Sequence, residues 1–112
     1  NTSNRFELVV NMEQLAEIFK ALSNKYRLII FKELLHREGL MMPKDNISCC
    51  GHHDRHCCIG ELGKKVELAP STISHHIKEL KNAGLININR KGNYVYCSVN
   101  IKTWEKVQDF IR

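Results

Sequence analysis

No run of apolar residues in this chain approaches the roughly 18–20 needed to span a bilayer. No secretory apolar stretch opens it, because Arg5 and Glu7 interrupt the start. There is no His-Glu-x-x-His, no phosphate-binding loop and no glycine-flanked nucleophile elbow, so an enzyme is not expected. The cysteines never stand as Cys-x-x-Cys, which removes the thiol-oxidoreductase motif. Internal repeats and linker-like stretches are also missing. The 112 residues are therefore expected to form one domain, residues 1–112. A domain this small buries only part of its surface, and a dimer would add burial.

What the chain does have is concentrated. Residues 49–58 read Cys49-Cys50-Gly51-His52-His53-Asp54-Arg55-His56-Cys57-Cys58. Thiolate and imidazole are the ligands that soft and borderline metals prefer. Two adjacent cysteine pairs are a poor way to staple distant elements. Lys/Glu-rich helices and the lack of a signal favour the cytosol, where thiols stay reduced and such a cluster is metal-binding or redox-active.

The net charge of +5 is uneven. Residues 1–59 hold 8 basic and 7 acidic side chains, and residues 60–112 hold 9 and 5. The basic excess thus falls in the second half, where a phosphate backbone would be attracted.

Leu8, Met12, Leu15, Phe19 and Leu22 mark one face of a first helix, 7–22. Ser23 is a candidate cap for a second, 24–37. Its breadth of apolar positions, from Leu28 to Leu35, predicts packing on several sides. Gly39 ends it. Residues 39–57 then form a long Cys/His-rich loop without periodicity. Residues 58–66 put Ile59, Leu62 and Val66 on one helical face. Pro70 suits the first position of a further helix, 70–83, with Ile73, Ile77 and Leu80 inward and Gly84 as a left-handed cap. Two β-rich runs, 85–90 and 94–99, flank Lys91-Gly92-Asn93 as a hairpin. A last helix, about 101–111, carries Trp104, Val107 and Ile111.

Two short helices and a basic-tipped hairpin describe a winged helix-turn-helix, mainly α with a β-hairpin wing. In such units the second helix enters the major groove. Ser71, His75, Lys78 and Asn82 point away from the core face, beside Thr72 and Glu79. The candidate DNA-binding set is Ser71, Thr72, Ser74, His75, His76 and Lys78, with Arg90, Lys91 and Asn93 on the wing. The alternative for this helix is an ordinary surface or a protein-binding module.

Ala21-Leu22-Ser23-Asn24-Lys25-Tyr26-Arg27-Leu28 resembles the Ala-Leu-Ala-Asp-Pro-Thr-Arg-Leu segment of the ArsR/SmtB, or arsenic-repressor, family of metalloregulators. Ser71-Thr72-Ile73-Ser74-His75-His76-Ile77-Lys78-Glu79-Leu80 and Ala83-Gly84-Leu85 resemble its recognition helix. The resemblance implies a homodimeric repressor released from double-stranded operator DNA by an effector. It also implies a dimer interface of first and last helices, here Leu8, Met12, Leu15, Trp104, Val107 and Ile111.

The family often carries Cys-Val-Cys, then Asp/Glu-Leu, in the first helix of the reader. Here Cys58-Ile59-Gly60-Glu61-Leu62 matches it, with Gly60 in place of the second cysteine. The missing thiolates would come from Cys57, Cys49 and Cys50, with His52, His53 or His56 as a further ligand. A thiophilic ion of the arsenite, cadmium, lead or zinc class is the expected effector. Two readings stay open beside it. A thiol of each pair could close a disulfide, or sense persulfide, with reactivity raised near Arg55. A structural zinc could instead stabilise an interaction module. Cys97, on a hairpin strand, reads as a packed core thiol. His36 reads as a helix-dipole partner. The last helix offers Asp109 but no histidine, which speaks against the family's second type of metal site.

Overall fold

The computed structural model describes residues 5–40 and 57–112. Five helices and a three-stranded sheet follow in the order α1 (Arg5–Leu22), α2 (Lys25–Arg37), β1 (Cys57–Cys58), α3 (Ile59–Val66), α4 (Pro70–Asn82), β2 (Ile86–Lys91), β3 (Tyr94–Val99) and α5 (Ile101–Ile111). The architecture is a winged helix-turn-helix, as the sequence predicts.

One core serves the described residues. Ile18 of α1, Ile30 and Leu34 of α2, Leu62 of α3, Ile73, Ile77 and Leu80 of α4, Leu85 and Cys97 are all but excluded from solvent. On α1 the buried positions Leu15, Ile18 and Ala21 lie three apart, as one helical stripe requires. Leu8, Val9, Val10 and Met12, on its first half, are exposed. On α2 the inward residues are Ile30, Phe31, Leu34 and Leu35. Leu28 and Ile29 are 50% and 47% exposed, so this helix is packed on one face rather than on several.

Asn24 caps α2, and Ser23 does not. The Asn24 Oδ1 accepts from the Tyr26 and Arg27 amides at 2.9 and 3.2 Å. The Ser23 hydroxyl instead donates back to the Lys20 carbonyl at 2.6 Å. Asn binds the first free amides of a helix at least as well as Ser.

Three helices end by the same device. Leu40 bonds back to Leu35, Leu68 to Gly63 and Leu85 to Leu80, each closing over a residue with positive φ. This is the Schellman arrangement, and it prefers glycine. Gly39 and Gly84 supply it at φ 71° and 83°. After α3 the position belongs to Glu67, at φ 58°. Gly63 plays another part. A Cβ there would lie 3.2 Å from Ile73 Cγ1, so its lack of a side chain lets α3 sit tightly on α4.

The sheet order is β1-β3-β2, antiparallel throughout. The hairpin turns at Gly92, whose φ of 59° suits the first central residue of a II′ turn. The third strand is new to the sequence reading, which begins a helix at Cys58. Cys57 and Cys58 are instead extended and pair with Cys97 and Tyr96. The Val99 amide donates to Glu38 Oε2 at 2.7 Å, joining β3 to the end of α2. Phe31 and Trp104 meet edge-to-face at 5.6 Å, seating α5 on α2.

A left-handed conformation costs a non-glycine residue about 1–2 kcal/mol, of which glycine's chain entropy returns about half. Glu67→Gly is therefore expected to raise the unfolding free energy by about 0.5–1 kcal/mol, read by chemical denaturation. An unchanged or lowered midpoint would show that the Glu67 side chain stabilises the turn in some other way.

Candidate nucleic-acid interface

α4 starts with Pro70 after Ala69, which gives no side-chain cap, and has no acidic residue in its first turn. Its inner face is Ile73, His76, Ile77 and Leu80. Ser71, Thr72, Ser74, His75, Lys78, Lys81 and Asn82 are exposed on the other side. On the hairpin Arg90, Lys91, Gly92, Asn93 and Tyr94 are exposed too. Between helix and wing runs an open groove of about 700 Å³, bordered by Lys64 of α3, Lys78 and Lys81 of α4, and Asn93. Glu61 also lines it, 3.8 Å from Lys64, so three ammonium groups against one carboxylate leave a positive groove that favours a polyanion. Lys64, Lys81 and Tyr94 are not among the residues that the sequence singles out. Their positions follow only from how α3 and the wing fold beside α4.

His76 departs from its expected role. Its side chain is 7% exposed and turned inward, so it is not on the outer face with its neighbour His75. Its Nδ1 lies 3.4 Å from Arg27 Nη1, and its ring stacks on Tyr26 with centroids 6.0 Å apart. A guanidinium offers donors only, so Nδ1 is the acceptor and the ring proton sits on Nε2. Arg27 Nε also donates to the Ala21 carbonyl at 2.6 Å. His76 thus ties the outward helix to the junction of α1 and α2. The spacing holds the signal: residue 76 lies three after Ile73 and four before Leu80, on the buried stripe.

A helix with a polar and basic outer face, preceded by a short helix and flanked by a basic wing, is the arrangement of DNA-reading regulators. A sequence profile described as "Bacterial regulatory protein, arsR family" matches residues 53–87. The HTH-type transcriptional regulator YbzH of Bacillus subtilis (strain 168) is 31% identical over 96 residues, covering 86% of this chain and 93% of that one. The chain belongs to the arsR family of bacterial regulatory proteins. It is thereby a transcriptional regulator. A "cadmium resistance transcriptional regulatory protein CadC homolog" of Staphylococcus aureus is 29% identical over 90 residues, 80% of this chain and 60% of that one. In fold, it resembles the homodimeric winged helix-turn-helix DNA-binding domain of Mb0332 from Mycobacterium bovis. The TM-score is 0.64 at 21% identity, over 99% of this chain and 88% of that one.

The remaining site residues of this ArsR-family regulator are placed unevenly. Cys49, Cys50, His52, His53 and His56 lie outside the described residues. Cys57 and Cys58 are placed by their backbone on β1. Cys58 therefore precedes the reader's first helix, whereas the family motif puts its matching cysteine within it. Among the described residues no group of three or more His, Cys, Asp or Glu stands together. Asp109 pairs with Arg112 at 3.1 Å on the surface.

Of the candidate dimer residues, Leu8, Met12 and Ile111 are exposed at 57%, 41% and 63%. Leu15 and Val107 belong to the chain's own core, while Trp104 is half-buried against Phe31. Helical spacing gives the helix but cannot say which side of a broad apolar face looks inward. Phe19 and Phe110, 5.7 Å apart and exposed, extend the outer face instead.

Burial holds the His76 pKa below its ordinary value of 6.5, with Arg27 and His75 adding to the effect and Glu79 opposing it. A group depressed in this way contributes stability that is complete above the unfolded pKa and is lost as pH falls through the folded one. Wild-type protein is expected to lose stability below pH about 6.5 more steeply than His76→Gln. Parallel stability profiles for the two, measured by denaturant titration across pH about 5 to 8, would show that His76 is not held neutral.

Proposed function

We propose that this chain is a homodimeric, metal-responsive repressor that binds operator DNA through α4 and the wing. The DNA reading is carried by one observation: the outer face of α4 is polar and basic, with Glu79 as the helix's lone carboxylate, and three lysines against Glu61 border the groove beside it. Ser71, Thr72, Ser74 and His75 have the donors and acceptors that meet base edges. Lys64, Lys78, Lys81, Arg90, Lys91 and Asn93 suit phosphates. Two copies facing each other through Leu8, Met12, Phe19, Phe110 and Ile111 would present two such helices to a two-fold symmetric duplex. The homodimeric Mb0332 domain supports this by fold alone.

The effector reading rests on the donor set. Four cysteines and three histidines within ten residues fit a thiophilic ion. The similarity to a cadmium resistance regulator points to the same class. Cys49, Cys50 and Cys58 or Cys57 would hold it, with His52, His53 or His56 beside them. Successive strand residues fall on opposite faces of a sheet, so Cys57 and Cys58 are poorly placed to serve one ion together. When bound, such an ion supplies fixed cross-links among thiolates. The protein's part is mechanical: β1 is bonded to the wing's inner strand and runs directly into α3, so ligand residues that draw together displace both. A coupling of about 1–3 kcal/mol would lower DNA affinity about 5- to 150-fold.

Two expectations follow for DNA. Ser71→Ala or His75→Ala relaxes sequence preference. Lys64→Ala, Arg90→Ala or Lys91→Ala weakens binding to every duplex and lowers the salt slope by about 1 each. Normal binding by all five variants would remove this surface from the interface. For the effector, reduced protein titrated with cadmium is expected to gain thiolate charge-transfer absorption and release DNA together. Cys58→Ser keeps DNA binding and loses that response, because a hydroxyl does not replace a thiolate toward a soft ion. Reduced protein with neither absorption nor release under cadmium, lead, zinc or arsenite would overturn the metal reading.

A further inference from the structure

The register of the sheet sets two cysteines against each other. Cys57 on β1 is the direct antiparallel partner of Cys97 on β3, while Cys58 is opposite Tyr96. Directly opposed residues share a face of the sheet, with Cβ atoms about 4.5–5.5 Å apart. A disulfide needs about 3.5–4.5 Å. The midpoints of the two ranges differ by about an ångström, and the gap falls on β1, a two-residue strand at the sheet edge. Short edge strands shift more readily than β3, whose last four residues are buried. Cys97 is the packed core thiol that the sequence predicts, and the register gives it a cysteine neighbour as well.

We propose that Cys57 and Cys97 form an oxidisable dithiol that closes into a cross-strand disulfide. Cys97 has no exposure, so a peroxide must react at Cys57. The Cys57 thiolate attacks the O–O bond. One oxygen stays on sulfur as sulfenic acid, and the other leaves as water after taking up a proton. The Cys97 sulfur then attacks the Cys57 sulfur. The S–S bond forms, the S–O bond breaks, and hydroxide leaves as a second water with the Cys97 proton. The two sulfurs together give two electrons, which reduce one peroxide to two waters. A cross-strand bridge stretched from its preferred separation is readily reduced by a small thiol, so the step is reversible.

Closure joins the strand before α3 covalently to the inner strand of the wing. It also pins β1 against β3, so that Cys58 no longer moves toward Cys49 and Cys50 as metal capture requires. On the metal reading proposed above, on which this last consequence rests, the pair weakens metal capture in the oxidised protein.

The test begins with metal-free, reduced protein treated with one equivalent of hydrogen peroxide. Thiols are blocked, the chain is digested without reductant, and linked peptides are read by mass spectrometry in wild type and in Cys58→Ser. The expected product links the peptide that begins at His56 to the one that contains Cys97. Dithiothreitol reverses it. In Cys97→Ala, Cys57 is expected to persist as a sulfenic acid trapped by dimedone. If Cys97→Ala does not fold, the wild-type map still decides. Cys57 linked instead to Cys49 or Cys50, or a Cys97 thiol still alkylated after denaturation of the oxidised protein, overturns the proposal. In a second arm cadmium is titrated into reduced and oxidised wild type. A loss of at least about tenfold in affinity on oxidation is expected. Unchanged affinity overturns the consequence for metal capture. No thiolate absorption in reduced protein sinks the metal reading alone, and the linked peptide still decides whether the dithiol closes.

Discussion

β3 is the strand on which the rest of the described fold takes its position. It has a neighbour on both sides, β1 and β2, and it carries the wing at one end and α5 at the other. Tyr96, Cys97, Ser98 and Val99 are buried along it. Its exit is fixed three ways: Val99 bonds to Glu38, the Asn100 amide to the Leu85 carbonyl, and the Asn100 side chain caps α5 at Thr103. Buried strand amides must find partners, since each unmet one costs about 1–3 kcal/mol. A single strand thereby aligns the segment ahead of the helix-turn-helix, the wing and the last helix.

α4 obeys a second constraint, set from below. Its inner stripe lies close against α3, where a Cβ on Gly63 would come within 3.2 Å of Ile73 Cγ1. Its middle is held by His76 against Arg27 and Tyr26. A bond of 3.4 Å between a cation and a neutral ring is weak in itself. What matters is that burial and Arg27 both disfavour a charged ring there. Hydrophobic burial of Ile73, Ile77 and Leu80 sets how the helix seats on the core, and His76 adds a polar contact to Arg27 from the same stripe. The outer residues are therefore aimed by groups that never leave the interior.

The element order, the wing and most of the outward face of α4 are legible in the sequence, because helical and strand periods are strong there and Gly84 and Gly92 mark their turns. The cap of α2 is displaced by one residue from its expected place: Ser and Asn stand side by side, and only the backbone decides which faces the free amides. The end of α3 carries no glycine to announce it, since Glu67 occupies the left-handed position. β1 is invisible because a two-residue strand has no period. His76 looks like a DNA contact by residue type, and only its place on the buried stripe says otherwise. Leu15 and Val107 share helices with exposed apolar residues, and a sequence does not distinguish a face turned to its own core from one turned to a copy. The candidate metal ligands are legible as a composition, and only Cys57 and Cys58 among them gain a place in the fold, on β1.

The brevity of β1 has a thermodynamic side. Two residues can contribute only a few ladder bonds, each with a net value of about 0.5–1.5 kcal/mol, and the ordering of the chain opposes them. The pairing of this strand is consequently worth little beside the many contacts that hold β3. Small loads displace so short a pairing, where a long strand would resist them. Lengthening β1 would add ladder bonds and hold the strand before the reader more firmly.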